Sequence, residues 1–401
     1  LVVYNILHGN LTLLGPTASV GGFFLGPIYY YFMAPFLWLF NYNPVGPAIM
    51  VAFFGIATVW LIYKVGSDFF GYGTGFIAAF LYSISPLVIA YSRSSWNPNL
   101  MPFFSLLTLY ILYKAIKESK IKLFILCGFL LGIAMQLHYL AIFLGVIAAV
   151  YILLTRILSN ETMKQFNNRS SRQARTISFR MGFKALKDYV YVFLGFLVGW
   201  SPFLAFEVRH DFPNIKSIIN FVVRGQETGG NSQFFAIIEN VFFRLFGRLV
   251  TNFPPPEQVS LQAHTSIALW YYATLFLGIA SLALLVYKFI KNFKDKDQFQ
   301  RIGLFVVWFI LGVGLFGFYK KPIYDYYFGF MFPLPFLLVG LIIVSIYTNL
   351  PHFVRLRRTS RGKHELILKK IGQILALVIF AVLVWINLQG VPFRFPPNRQ
   401  L

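Results

Sequence analysis

The chain alternates long oily runs with short polar interruptions, and the runs show no residue-by-residue alternation of polarity. Continuous apolar stretches of this kind predict helices in lipid, because barrel strands alternate while a helix of about 20 apolar residues crosses a ~30 Å hydrocarbon core. The crossings expected are Val45–Val65, Thr74–Tyr91, Leu100–Ile116, Leu123–Leu137, Tyr139–Thr155, Tyr189–Phe206, Ile267–Lys288, Ile302–Phe318, Phe328–Tyr347 and Ile371–Gln389. Before them, "GGFFLGPIYYYFMAPFLWLF" is apolar but broken by Pro27 and Pro35, which predicts an interfacial or re-entrant piece. The fold class expected is all-α: a polytopic transmembrane bundle of about ten spans, forming one domain over residues 1–401.

Charge sets the register. Leu123–Leu154 as one helix would extend about 48 Å, too long without strong tilt. Lys114, Lys117, Lys120 and Lys122 precede it; Arg156, Lys164, Arg169, Arg172, Arg175, Arg180, Lys184 and Lys187 follow it. Both loops are expected in the cytoplasm, so an even number of crossings separates them. The run then predicts a helical hairpin turning near Gln136, His138 and Tyr139. In the same register the basic loop 156–188, Lys291–Arg301 and Arg355–Lys370 face the cytoplasm. Residues 1–44, Ser92–Asn99, the His138 turn, the charge-balanced loop 207–266 and Tyr319–Tyr327 face outward. No internal repeat of the inverted-transporter kind is visible.

Composition agrees with lipid as the solvent: 58% of the 401 residues are hydrophobic and 12% charged, with a mean hydropathy of +0.67. The net charge of +22 sits in the cytoplasmic loops, so the orientation rule explains it and no nucleic-acid partner is expected. Cys127 is the single cysteine and lies in an apolar run, which excludes a disulfide framework and a cysteine-based metal site. The opening "LVVYNILHGN" starts at Leu1 with no signal-peptide pattern and reads as the middle of a longer protein.

Polar residues that surface decoration explains poorly gather at the outer helix ends. "SRSSWNPN" brings Arg93, Trp96, Asn97 and Asn99; its arginine is either a functional cation or a snorkelling anchor. "FEVRHDFPN" brings Glu207, Arg209 and His210, as a helix cap or as part of a chamber. "YKKPIYDYY" brings Lys320, Lys321, Tyr324 and Asp325, where an aromatic belt competes with a phosphate-binding lysine pair. His138 reads first as a structural polar residue and second as a base. "GYGTG" lacks a preceding strand and reads as a turn, and no HExxH or nucleophile-elbow motif is present.

In order, "HGNLTLLGPTASVGGFFLGPIYYYFMAP", "DFFGYGTGFIAAFLYSISP" and "SRSSWNPNLMPFFSLLTLYILYKAIK" resemble the first half of GT-C membrane glycosyltransferases of the protein O-mannosyltransferase and aminoarabinose transferase type. "YDYYFGFMFPLPFLL" is similar to that family's aromatic, proline-ended helix start. The resemblance implies transfer of a sugar from a polyprenyl phosphate to a lipid, glycan or protein hydroxyl at the outer face of a bacterial or archaeal plasma membrane. It implies Arg93 on phosphate, Asn97 on sugar or acceptor, and Trp96 as a stacking face. The family's essential acid lies early in the first external loop, whereas Leu1–Phe40 holds no Asp or Glu; the base is therefore expected upstream of Leu1, with Glu207, His210 and Asp325 as the candidates within the chain. A divalent cation is the one cofactor the resemblance leaves open. Asn97 stands where many relatives carry Asp, and an amide is the weaker cation ligand. A carrier or flippase for lipid-linked sugars is the competing reading, and an unrelated glycan polymerase or ligase the third.

Overall fold

The oily runs fold as helices, and the described residues hold no β-structure beyond one isolated bridge between Thr17 and Phe24. The structure, a computed structural model, describes residues 1–18, 21–157, 171–224, 234–262, 264–319, 322–353 and 361–391. Its first helices are α1 (Val2–Leu7), α2 (Ile28–Leu39), α3 (Val45–Phe70), α4 (Tyr72–Ile84), α5 (Pro86–Ser92), α6 (Met101–Glu118), α7 (Ile121–Leu137) and α8 (Ala141–Ile157). Then come α9 (Ser171–Gly199), α10 (Ser201–Arg209), α11 (Pro213–Arg224), α12 (Phe234–Gly247), α13 (Thr265–Lys291), α14 (Lys296–Gly314), α15 (Pro333–Phe353) and α16 (Arg361–Gly390). Lys164, Arg169 and Arg355–Arg358, which bear on the orientation, lie outside the described residues, as do Lys320 and Lys321.

The molecule is a multi-pass membrane bundle with fewer full-length spans than the sequence predicts. Five stretches are long and apolar enough to cross, and eight if three bent helix pairs each count as one span. The difference falls on α7 and α8, each of 17 residues. At 1.5 Å per residue each extends about 25 Å, short of a ~30 Å core. The run does fold as a hairpin, because His138 leaves the helix in an extended conformation (φ −156°, ψ 135°).

Prolines account for the bends. Ser85 precedes Pro86 and is extended (φ −67°, ψ 120°), as pre-proline residues tend to be, and α4 and α5 meet at 67°. The segments of α9 and α10 meet at 71°, with Pro202 in the first turn of α10. Pro333 likewise opens α15 after the 3₁₀ turn Asp325–Met331.

Two compact units divide the chain. One comprises Leu1–Thr58, Ser92–Glu239 and Tyr287–Met331. Here α7 packs along α9 through Gly128 and Gly132 on one helix and Gly195 and Gly199 on the other. A Cβ on Gly128 would overlap the Val192 carbonyl, and one on Gly195 the Ile125 carbonyl. That is the small-xxx-small spacing that lets membrane helices touch backbone to backbone. A buried ion pair, Arg156 Nε to Asp188 Oδ2 at 2.6 Å, ties the end of α8 to α9. The other unit comprises Val59–Tyr91, Asn240–Val286 and Phe332–Leu401. In it α15 packs on α4 and α16, and buried side chains satisfy stray carbonyls: Ser85 Oγ donates to Leu249 and Asn387 Nδ2 to Val250, each at 2.7 Å.

Candidate functional site

The site is built within the first unit, and its most irregular wall is the glycine-rich first loop. Gly15 N–H donates to Leu25 O at 2.8 Å, Leu25 N–H to Pro16 O at 2.9 Å and Ala18 N–H to Phe23 O at 2.9 Å. Glycine is required at 15, where a Cβ would overlap the Gly26 carbonyl, and the turn at Gly21 and Gly22 has φ of +81° and +66°. Two buried amides clamp this loop. Phe24 N–H donates to Asn214 Oδ1 at 2.8 Å, and Ile28 N–H to Gln136 Oε1 at 3.2 Å. Each amide is itself held: Asn214 Nδ2 donates to Glu207 Oε1 at 2.7 Å, and Gln136 Nε2 to the Gly199 carbonyl at 2.6 Å, where α9 ends.

A cavity of about 210 Å³ opens beside the loop. Thr17, Ala18 and Leu25 form the loop wall; Trp96, Asn97 and Pro98 come from the 3₁₀ entry to α6. His138 and Tyr139 come from the α7–α8 turn, and Tyr326 from the segment before α15. Four sequence-distant segments therefore meet at one place. Trp96 and Tyr326 rings lie 4.3 Å apart, while His138 stacks on Tyr139 at 4.7 Å and 23° and meets Tyr326 edge-on at 5.9 Å. Tyr139 and Tyr319 hydroxyls are hydrogen-bonded at 2.8 Å, and burial pushes the Tyr139 phenol up. Asn97 Nδ2 donates to the Leu137 carbonyl at 2.5 Å, which leaves its oxygen as the acceptor the amide can offer.

His138 is 5% exposed, and its Nδ1 accepts the Leu140 N–H at 3.2 Å. The ring proton therefore sits on Nε2. Burial pushes the imidazole down to about 3, so it stays neutral at ordinary pH. A neutral ring with Nδ1 already used is a hydrogen-bond donor and a poor base.

The other sequence candidates take different places. Arg93 is exposed and does not line the cavity. Asn99 Nδ2 donates to Ser94 O at 2.8 Å and Ser94 Oγ at 3.0 Å, closing the turn that presents Trp96 and Asn97. Tyr324 is exposed and stacks on Tyr326 at 5.8 Å and 11°, and Asp325 is half-buried at the start of the 3₁₀ turn. Glu207 is fully buried and caps α11, accepting from Asn214 N–H, Asn214 Nδ2 and Ile215 N–H. It reaches the cavity through Asn214 and Phe24 and does not line it. His210 and Arg209 are exposed at the end of α10, with the imidazole stacked on Phe206 at 4.1 Å. Sequence reading did not offer Thr17, Tyr139 or Tyr326 as site residues, taking Tyr139 as part of the hairpin turn and Tyr326 as part of an aromatic belt; the density of glycines at 15, 21, 22 and 26 was the available signal for the loop wall.

Among the described residues, no three His, Cys, Asp or Glu side chains are grouped as metal ligands. The described residues that line the cavity offer an amide oxygen, hydroxyls and an imidazole whose Nδ1 is already used, and no carboxylate, a donor set poorly suited to a divalent cation.

The model of the dolichyl-phosphate-mannose-protein mannosyltransferase family matches residues 25–166. That span includes Leu25, Trp96, Asn97, Pro98, His138 and Tyr139 of the cavity. The chain is 24% identical over 139 residues to "Putative mannosyltransferase YycA" of Bacillus subtilis (strain 168), covering 35% of this chain and 20% of that protein. It is 28% identical over 111 residues to "Putative mannosyltransferase YkcB" of the same organism, covering 28% and 15%. The matches thus span a fifth or less of these relatives. A crystal structure of the Archaeoglobus fulgidus oligosaccharyltransferase, complexed with Zn and sulfate, aligns with a TM-score of 0.53 at 14% identity. The alignment covers 100% of this chain and 49% of that one. The fold is of the GT-C type. In this GT-C bundle the family match takes in Leu25, the α6 entry and the α7–α8 turn, while Thr17, Ala18 and Tyr326 of the cavity lie outside it.

Proposed function

We propose that the chain is the sugar-handling bundle of a membrane glycosyltransferase. It would take a sugar from a polyprenyl phosphate and pass it to a hydroxyl of a lipid, glycan or protein on the outer side. The observation that carries this is the cavity itself: an aromatic face, Trp96 with Tyr326, beside the amide of Asn97 and the imidazole of His138. Rings of this kind stack on the apolar face of a sugar, while the amide oxygen accepts from its hydroxyls. Transfer breaks the bond between the anomeric carbon and the phosphate oxygen as the acceptor oxygen bonds to that carbon. The electron pair leaves on the polyprenyl phosphate, for which Arg93, exposed three residues before Trp96, is the proposed cation. A carboxylate must take the acceptor's proton; within the described residues Asp325, next to Tyr326, is the candidate.

Polyprenyl-phosphate mannose with a labelled sugar, in liposomes carrying the protein as it occurs in the cell, tests this reading. Trp96→Ala should lower sugar release about tenfold, the order of a lost aromatic contact. Trp38→Ala removes a ring that is 63% exposed and lines no part of the cavity, and should match wild type. Equal release by both variants would remove the cavity from the reaction. Arg93→Ala should weaken donor use by about tenfold or more if it meets phosphate. Wild-type use at matched expression would make Arg93 a lipid anchor only.

A further inference from the structure

We infer that the acceptor in this reaction carries a sugar ring of its own, and that the exposed ring of Tyr324 is the subsite on which it stacks. The inference rests on the transferase reading and adds the acceptor class which that reading leaves open.

A row of aromatic rings leads from the cavity to the surface. Trp96 and Tyr326 line the cavity with centroids 4.3 Å apart, and Tyr324 continues the row 5.8 Å from Tyr326. Tyr324 is nearly parallel to Tyr326, at 11°, whereas Trp96 is inclined to Tyr326 by 54°. The row therefore offers two stacking faces that differ in direction, one belonging to the cavity and one beyond it.

Tyr324 is 53% exposed, yet its ring is held. It meets the buried Tyr327 ring edge-on at 5.7 Å and 85°, and the Tyr324 carbonyl accepts Tyr327 N–H at 3.0 Å. A headgroup anchor needs no such support, whereas a stacking surface binds better when its ring is already ordered.

The chain order indicates which substrate this ring serves. Asp325, the candidate carboxylate for the acceptor's proton, stands between Tyr324 and Tyr326 at the start of a 3₁₀ turn. The donor sugar is assigned to Trp96, Tyr326 and Asn97, so the ring across Asp325 meets the molecule whose hydroxyl loses its proton. In that step the acceptor oxygen gives its proton to Asp325 and bonds to the anomeric carbon. The bond from that carbon to the phosphate oxygen breaks, and its electron pair leaves on the phosphate. A serine or threonine acceptor brings a short aliphatic arm, which gains little from a phenol one ring further out. A sugar brings a hydroxyl and a C–H face together. The matched family is named for protein as its acceptor, so the two acceptor classes predict opposite results.

The test uses the protein as it occurs in the cell, in nanodiscs, with polyprenyl-phosphate mannose labelled in the sugar. Mannobiose, maltose, cellobiose and chitobiose are offered as acceptors alongside a peptide rich in serine and threonine. At least one disaccharide should receive label faster than the peptide. Tyr324→Ala should raise KM for that disaccharide about tenfold, the order of a lost stacking contact, and leave KM for the donor lipid within about twofold. Tyr324→Phe keeps the ring and should lie within about threefold of wild type for both substrates. Label passed faster to the peptide, or to water alone, would overturn the acceptor class while the transferase reading stands, since the donor is still cleaved. An unchanged disaccharide KM in Tyr324→Ala would overturn the subsite and make Tyr324 a headgroup anchor. An equal rise in both KM values would put Tyr324 on the donor and overturn the inference as well. No release of label by wild type would overturn the transferase reading and the inference with it.

Discussion

Gly195→Val should leave little folded protein, whereas Gly145→Ala should behave as wild type. At Gly195 an added Cβ would overlap the Ile125 carbonyl, and one turn further on a Cβ on Gly199 would overlap the Phe129 carbonyl. Backbone cannot yield as a flexible side chain does, so α7 and α9 would have to separate. The expected loss is about 3 kcal/mol, the upper part of the overpacking range. At Gly145 the nearest neighbour of a new Cβ is Leu131 Cδ2 at 3.7 Å, an ordinary contact. Size-exclusion profiles and melting midpoints of the detergent-solubilised protein would read both. A sharp, wild-type profile for Gly195→Val would mean that the two helices are not in backbone contact.

Glu207→Ala should cost nearly as much, and through a different route. The carboxylate accepts Asn214 Nδ2 at 2.7 Å and Ile215 N–H at 2.9 Å, and its loss strands those donors in a buried site. Each unmet buried donor costs about 1–3 kcal/mol, so about 3 kcal/mol is expected before water repairs part of it. Asn214 then loses its anchor and the first loop its clamp at Phe24, so affinity for the donor lipid should fall as well. Glu207→Gln retains one acceptor oxygen and should lie between alanine and wild type in both stability and affinity. A catalytic acid gives another pattern: stability near wild type, with transfer down about 10²–10⁴-fold in both variants. The melting midpoint and the transfer rate, measured together, separate the two roles.

The topology was legible where periodicity and charge acted together. Continuous apolar runs gave helices in lipid, and the lysines before Leu123 with the arginines after Leu154 placed a turn near His138, where the backbone does turn. Proline positions were legible too but were read only at Pro27 and Pro35. Pro35 sits inside α2 without ending it, while Pro86, Pro202 and Pro333 each open a new helix after a bend. Hydropathy averages over such a break, so three bent pairs read as three straight crossings. At the site, Trp96, Asn97 and His138 were visible because polar or amphipathic groups interrupt oily walls. Tyr139 and Tyr326 were not, since a tyrosine at a helix end looks the same whether it meets headgroups or faces a cavity. The role of Glu207 was hidden for a further reason. Its partners Asn214 and Ile215 are close in sequence, but what they support, Phe24, is 190 residues away from Asn214.

That separation also sets a schedule for synthesis. The loop at Gly15–Ile28 emerges before both of its clamps: Gln136 follows Ile28 by 108 residues, and Asn214 follows Phe24 by 190. At about 5–20 residues per second the ribosome needs about 10–40 s to supply the second. Tyr326 arrives later still. Until Gln136 is made the nascent loop has neither clamp, and until Asn214 is made it has only one. The wall of the cavity that is made first is thus completed only when much of the bundle has been inserted.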